Sequence, residues 1–130
     1  MYPNMAATAY RKAAANVHPS IALVKIYDEL ILAIKQAVRA KEENNHELAF
    51  TKVMRAALIL RGLAAALDME RGGAISQRLL KVYSSYIMNL HLSYGKPDVV
   101  RRYNKLLEGL VELREAWAFI AGQRATTQGK

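Results

Sequence analysis

Residues 97–120 read PDVVRRYNKLLEGLVELREAWAFI. Val99, Tyr103, Leu106, Leu110, Leu113, Trp117 and Ile120 recur at steps of three and four, so at about 100° per residue they share one side of a helix. Pro97 suits a first helical turn, where its missing N–H is not needed. Asp98 adds a negative charge at the positive end of the helix dipole. The stretch predicts a long helix closing near Gly122. A continuous apolar face of this kind has to be buried against other elements.

Working toward the N-terminus, the same period returns three times. Ile75, Leu79, Val82, Tyr83, Tyr86 and Leu90 predict a helix ending at Gly95 in the position of a C-terminal cap. Ala49, Val53, Ala57, Leu60, Ala64 and Leu67 predict another. Asn44 is its expected N-cap, Glu47 completes a capping box, and its end is expected between Asp68 and Gly73, where Gly72 and Gly73 let the backbone reverse. Leu23, Ile26, Leu30, Ile34 and Ala37 predict a first helix, beginning near Pro19 and fading in Lys41–Asn45. Short connections favour antiparallel neighbours. The expected fold is therefore all-α: an antiparallel four-helix bundle over residues 18–122, preceded by a short, partly helical N-terminal arm (1–17) and followed by a frayed polar tail (123–130).

Composition agrees with one soluble domain. The 130 residues are 52% hydrophobic and 23% charged, with three prolines and no cysteine, which excludes a disulfide framework or a thiolate metal site. Lys25, Lys35, Arg55 and Arg61 interrupt every apolar run before the roughly 18 to 20 residues of a membrane span. Met1-Tyr2-Pro3-Asn4 has neither the charged start nor the apolar block of a signal peptide, so a cytosolic protein is expected. Nineteen Lys and Arg against 11 Asp and Glu leave a formal charge of +8. The basic residues are scattered, with Arg101, Arg102 and Lys105 the densest group, which reads as a solvated basic surface.

The residues offer little for catalysis. His18, His46 and His91 lack a carboxylate or hydroxyl at a spacing that suggests a triad. Glu43-Asn44-Asn45-His46 matches Glu-x-x-His, but di-iron bundles need it twice, on inward faces. Asp28 and Glu29 point about 100° apart on a helix and do not form a carboxylate pair. Gly72-Gly73 lacks the strand and spaced glycines of a phosphate loop. No enzyme, metal or cofactor is expected.

Apolar positions exceed what single stripes need. Val24, Tyr27, Ile31 and Val38 make a second row on the first helix; Met54, Leu58 and Ala65 make one on the second; Val100, Leu107, Val111 and Ala118 make one on the fourth. Two readings stand side by side. The rows either widen the core through extra helix contacts, with the second helix central, or remain open as a groove for an amphipathic segment.

The segment Leu67-Asp68-Met69-Glu70-Arg71-Gly72-Gly73, followed by Ile75, Leu79 and Tyr83, resembles the Leu-Asp-x-Glu-x-Gly-Gly turn and following helix of the flagellin-specific export chaperones, the FliS family. Pro19, Leu23 and Tyr27-Asp28 resemble its first helix, Leu113-Arg114-Glu115-Ala116-Trp117 its closing segment, and Met1-Tyr2 with Tyr10 its N-terminal arm. The resemblance covers about residues 1 to 122. Ala74, Arg78, Leu80, Lys81 and Ser84 depart from the acidic, Asn or polar residues that relatives tend to carry. The resemblance implies a non-enzymatic chaperone that binds the C-terminal segment of flagellin in the cytosol, prevents premature polymerisation and delivers it to the export gate. The expected contacts are Met54, Leu58, Leu107 and Val111, with Tyr2, Met5 and Tyr10 of the arm covering the groove in competition with flagellin. Two alternatives remain open: a basic bundle that binds nucleic acid, and a homo-oligomeric scaffold.

Overall fold

A computed structural model describes residues 19–128, with side chains over 21–122. Helices α1 (Pro19–Glu42), α2 (His46–Ala65), α3 (Met69–Ser93) and α4 (Val99–Gln128) follow in order, with no strand among the described residues. At 24, 20, 25 and 30 residues they are about 30 to 45 Å long. They form the expected antiparallel bundle. α4 runs on through Gly122 to Gln128. The arm, with Tyr2, Met5 and Tyr10, lies outside the described residues.

The links depart from expectation in ways the backbone explains. After α1, Asn44 adopts a left-handed conformation with φ 57°, which asparagine tolerates better than most residues. The Asn45 N–H then donates to the Ala40 carbonyl at 2.8 Å and the Asn44 N–H to that of Lys41 at 3.1 Å, closing the helix in a Schellman motif. With Asn44 committed to ending α1, the cap of α2 falls one residue later than expected. The Asn45 side chain accepts from the Leu48 N–H at 3.2 Å.

Between α2 and α3 the chain turns back over Ala66–Asp68, before the glycine pair. Asp68 caps α3, its Oδ1 accepting from the N–H groups of Glu70 at 3.1 Å and Arg71 at 3.0 Å. The glycines instead kink α3 after its first turn. Gly73 has φ 51° and ψ −125°, a conformation essentially reserved for glycine. Across the kink the buried Ser76 hydroxyl donates to the Asp68 carbonyl at 2.8 Å. A β-carbon on Gly72 would overlap that hydroxyl. Each glycine therefore has its own reason: one supplies the bend, the other the clearance for the bond that holds it. Between α3 and α4, Lys96 N–H donates to Ser93 at 3.0 Å and Val99 N–H to Lys96 at 3.2 Å. These two tight turns make the link, and Gly95, just past the cap of α3 near where the sequence places its end, has no positive φ.

α1, rather than α2, takes the central place. Its largest interfaces are with α2 and α4; α2 also packs on α3, and α3 meets α4 only lightly. Two flanks in use explain its wide buried face, which spans Tyr27, Leu30, Ile31, Ile34, Ala37 and Val38. Of the second row expected on this helix, Tyr27, Ile31 and Val38 are therefore core, not groove, and Val24 is half-buried. Leu60, Tyr83, Leu90, Tyr103 and Leu110 complete the interior from the other helices. Three buried phenols find partners there, as buried tyrosines generally do. The Tyr27 and Tyr83 hydroxyls meet at 2.6 Å, and the Tyr103 hydroxyl donates to the Leu90 carbonyl at 2.6 Å.

Candidate partner-binding surface

Apolar side chains left outside a well-filled core mark where another molecule can bind. On α2, Phe50, Met54 and Leu58 recur every fourth residue and are 54%, 39% and 51% exposed. α1 engages one flank of this helix, where Arg55 donates to Glu29 at 3.2 Å. α3 engages the other, where Arg61 and His91 meet at 3.2 Å. The stripe runs along the α3 side. At its upper end the Phe50 ring meets Tyr94 edge to face, with centroids 6.0 Å apart. Tyr94 lies beneath Lys41 Nζ at 3.8 Å and donates to the His46 carbonyl at 3.1 Å. These contacts fix the start of α2 against the end of α3 and hold Phe50 in place. Phe50 is absent from the rows read from sequence, although its position four residues before Met54 puts it in the same row.

The α4 positions divide. Val111 is 39% exposed, whereas Leu107, expected beside it on the open row, is 8% exposed and belongs to the core cluster. The reason lies in how α4 is turned about its axis. Arg114, one turn beyond Val111, donates through Nε to Asp28 Oδ1 at 2.8 Å and through Nη2 to Oδ2 at 3.4 Å. This side-on pair marks the flank of α4 that faces α1, while Leu107 is turned into the core cluster. The open edge of α4 thus borders α1, while the open stripe of α2 borders α3. Around the ring of helices these lie on opposite sides. Met54 and Leu58 share one surface; Val111 belongs to another, and the structure does not join them in one groove.

The remaining motif residues gather at the end of the bundle near the kink. Trp117 is half-buried and lines, with Leu23, Leu63, Leu79 and Tyr83, a pocket of about 230 Å³ floored by Gly72 and Ser76. Its indole Nε1 is shielded from solvent and has no hydrogen-bond partner among the described residues. Asp68 and Gly72 border the same pocket, so the turn and the closing segment of α4, distant in sequence, meet through it. Among the described residues no three His, Asp or Glu side chains converge as a metal site would require. Among the described residues no helix is long and apolar enough to cross a membrane.

The family model for the flagellar protein FliS matches residues 2–124. The chain belongs to the FliS family. Comparison with curated proteins gives no match. FliS proteins are flagellar export chaperones, a family not known for catalysis, and this geometry shows how their turn motif works as structure here. In this FliS chain Asp68 caps α3, Gly73 bends it, and Gly72 clears the way for Ser76. Tyr27 and Tyr83 tie α1 to α3 through their hydroxyls, and Asp28 ties α1 to α4 through Arg114. The motif holds the FliS frame together, and the apolar stripe on α2 stands on the outside of that frame.

Proposed function

We propose that this chain binds the C-terminal segment of flagellin in the cytosol, prevents its premature polymerisation and aids its delivery to the export apparatus. The observation that carries the reading is the Phe50–Met54–Leu58 stripe, three large apolar side chains standing in solvent on a helix whose opposite side is filled by the core. Membership of the FliS family supports the same partner. A segment that completes its helices only in the filament has apolar faces to cover beforehand. Methionine suits such a surface because its flexible thioether adapts to irregular partners. Met54 and Leu58 are the central contacts of the reading. Val111 contributes on the α1 side if the client wraps around the bundle, and Leu107 supports from beneath. Ordering a disordered client opposes binding, which keeps the complex releasable.

The test is titration of a labelled flagellin C-terminal segment against the parent, Leu58→Asp and Val111→Asp. Each variant places a charge in the proposed contact, and loss of a central apolar contact of about 2 kcal/mol weakens binding roughly thirtyfold. Both positions are exposed, so melting temperatures stay close to that of the parent. Unchanged affinity in both variants refutes the reading. So does steep salt-dependent binding of duplex DNA in preference to the peptide, or a self-associated parent that Leu58→Asp turns into monomer.

A further inference from the structure

A second unpartnered surface runs down the outer side of α3, away from the α2 stripe. Arg78, Lys81, Ser85, Met88 and Leu92 recur at alternating steps of three and four, and all are exposed. That 3.5-residue repeat is the seam along which one helix meets another lengthwise. Tyr83 and Leu90 face the core on the opposite side of α3, while Met88 and Leu92 are 60% and 63% exposed. Beside them lies an open depression of about 510 Å³ between α3 and the start of α4, its walls including Asn89, Ser93 and Arg102. α3 and α4 make the lightest interface between helices that are neighbours in the ring, which leaves this side uncovered.

The charges on the seam are one-sided. From Arg71 to Pro97 the chain contains Arg71, Arg78, Lys81 and Lys96 and no Asp or Glu. At the head of α4 the nearest acid, Asp98, is shared by Arg101 and Arg102, so that cluster keeps a net positive charge. The seam is thus basic in its first half and apolar in its second. The centres of the two halves lie about 16 Å apart along the helix.

We propose that this seam receives an amphipathic helical segment of the client polypeptide, with apolar side chains over Met88 and Leu92 and acidic side chains over Arg78 and Lys81. This rests on the reading of the chain as an export chaperone, and it specifies the client's chemistry: an apolar pair and an acidic pair about three helical turns apart. A second copy of the chain fits worse, since its seam brings no acid to meet Arg78 and Lys81. Nucleic acid answers the cations but leaves Met88 and Leu92 against phosphate and sugar.

The test uses two labelled synthetic helical peptides that share a leucine pair and differ only in carrying a Glu pair or a Gln pair three turns away. Each is titrated by fluorescence anisotropy against the full chain, Arg78→Glu/Lys81→Glu, and Met88→Gln/Leu92→Gln. The parent binds the Glu peptide about tenfold more tightly than its Gln twin, and added salt narrows the gap. In the charge-reversed protein the preference disappears or inverts; in the Met88→Gln/Leu92→Gln protein both peptides weaken. Circular dichroism verifies that the variants, all at exposed positions, keep the helical signal of the parent. Equal affinity of the parent for the two peptides overturns the inference. So does duplex oligonucleotide binding in preference to the Glu peptide, or dimerisation that Met88→Gln/Leu92→Gln abolishes. The flagellin C-terminal segment is titrated alongside. If it fails while the Glu peptide behaves as described, the flagellin reading falls and the acidic seam stands; if it binds while the two peptides are indistinguishable, the reverse holds.

Discussion

Gly73→Ala isolates one physical effect. Nothing lies within 4 Å of where its β-carbon would sit, so no clash enters, and the whole cost is backbone. At φ 51° and ψ −125° an L-residue is held in a sparsely populated region at a cost of about 1 to 3 kcal/mol. Against this, alanine restricts the unfolded chain and returns about 0.4 to 1 kcal/mol. At mid-range values the net expectation is a destabilisation of about 1.3 kcal/mol, within outer limits of about 0 and 2.6 kcal/mol. For a chain of this size each kcal/mol moves the melting temperature by about 3 to 5 °C, so a drop of roughly 4 to 7 °C follows. Gly95→Ala is the internal control. It also meets nothing within 4 Å, but without a positive φ, and should be neutral or stabilising by up to about 1 kcal/mol. Urea unfolding followed by circular dichroism gives both values. A Gly73→Ala protein with the same midpoint and slope as the parent, or a more stable one, refutes the argument that glycine is needed for the kink.

Three further outcomes follow. Burial, with a smaller contribution from Tyr94, pushes the Tyr103 phenol well above its ordinary pKa. Because the neutral form is the favoured one in the fold, this contribution is fully present below about pH 10 and is lost as pH rises above it; Tyr103→Phe should flatten the alkaline loss of stability while costing about 1 kcal/mol at neutral pH for the bond to Leu90. Trp117, half-buried with its Nε1 shielded, should emit at the wavelength of indole out of water, and Trp117→Ala should cost about 3 kcal/mol, the low end for a core aromatic; emission typical of fully hydrated indole would count against its placement. Arg114→Ala should lower the melting temperature only slightly at low salt and less at high salt, because its pair with Asp28 is partly exposed; a loss that salt leaves unchanged would mean that packing, not charge, holds α4 to α1.

What the chain determines by itself is local. The four apolar periods, the cap at Asp68, the acid at the head of α4 and the ordered motifs of the FliS family all rest on residues close to one another in sequence, where helix geometry and capping chemistry act. Two local signals were nonetheless resolved only by their surroundings. Asn44 and Asn45 are equivalent as caps until the closing hydrogen bonds of α1 assign one of them the left-handed position. Gly72-Gly73 permits either a reversal or a kink, and Asp68 starting α3 early makes it a kink. Which apolar rows are core was decided by tertiary structure alone. A helical period gives directions about one axis but not which directions a neighbour occupies. α1 has neighbours on two sides, so Tyr27, Ile31 and Val38 of its second row disappear into the interior. α4 is turned so that Leu107 joins the core cluster while Val111 stays open. α2 keeps Phe50, Met54 and Leu58 in solvent because no described helix covers that side, and for the same reason α3 keeps Met88 and Leu92.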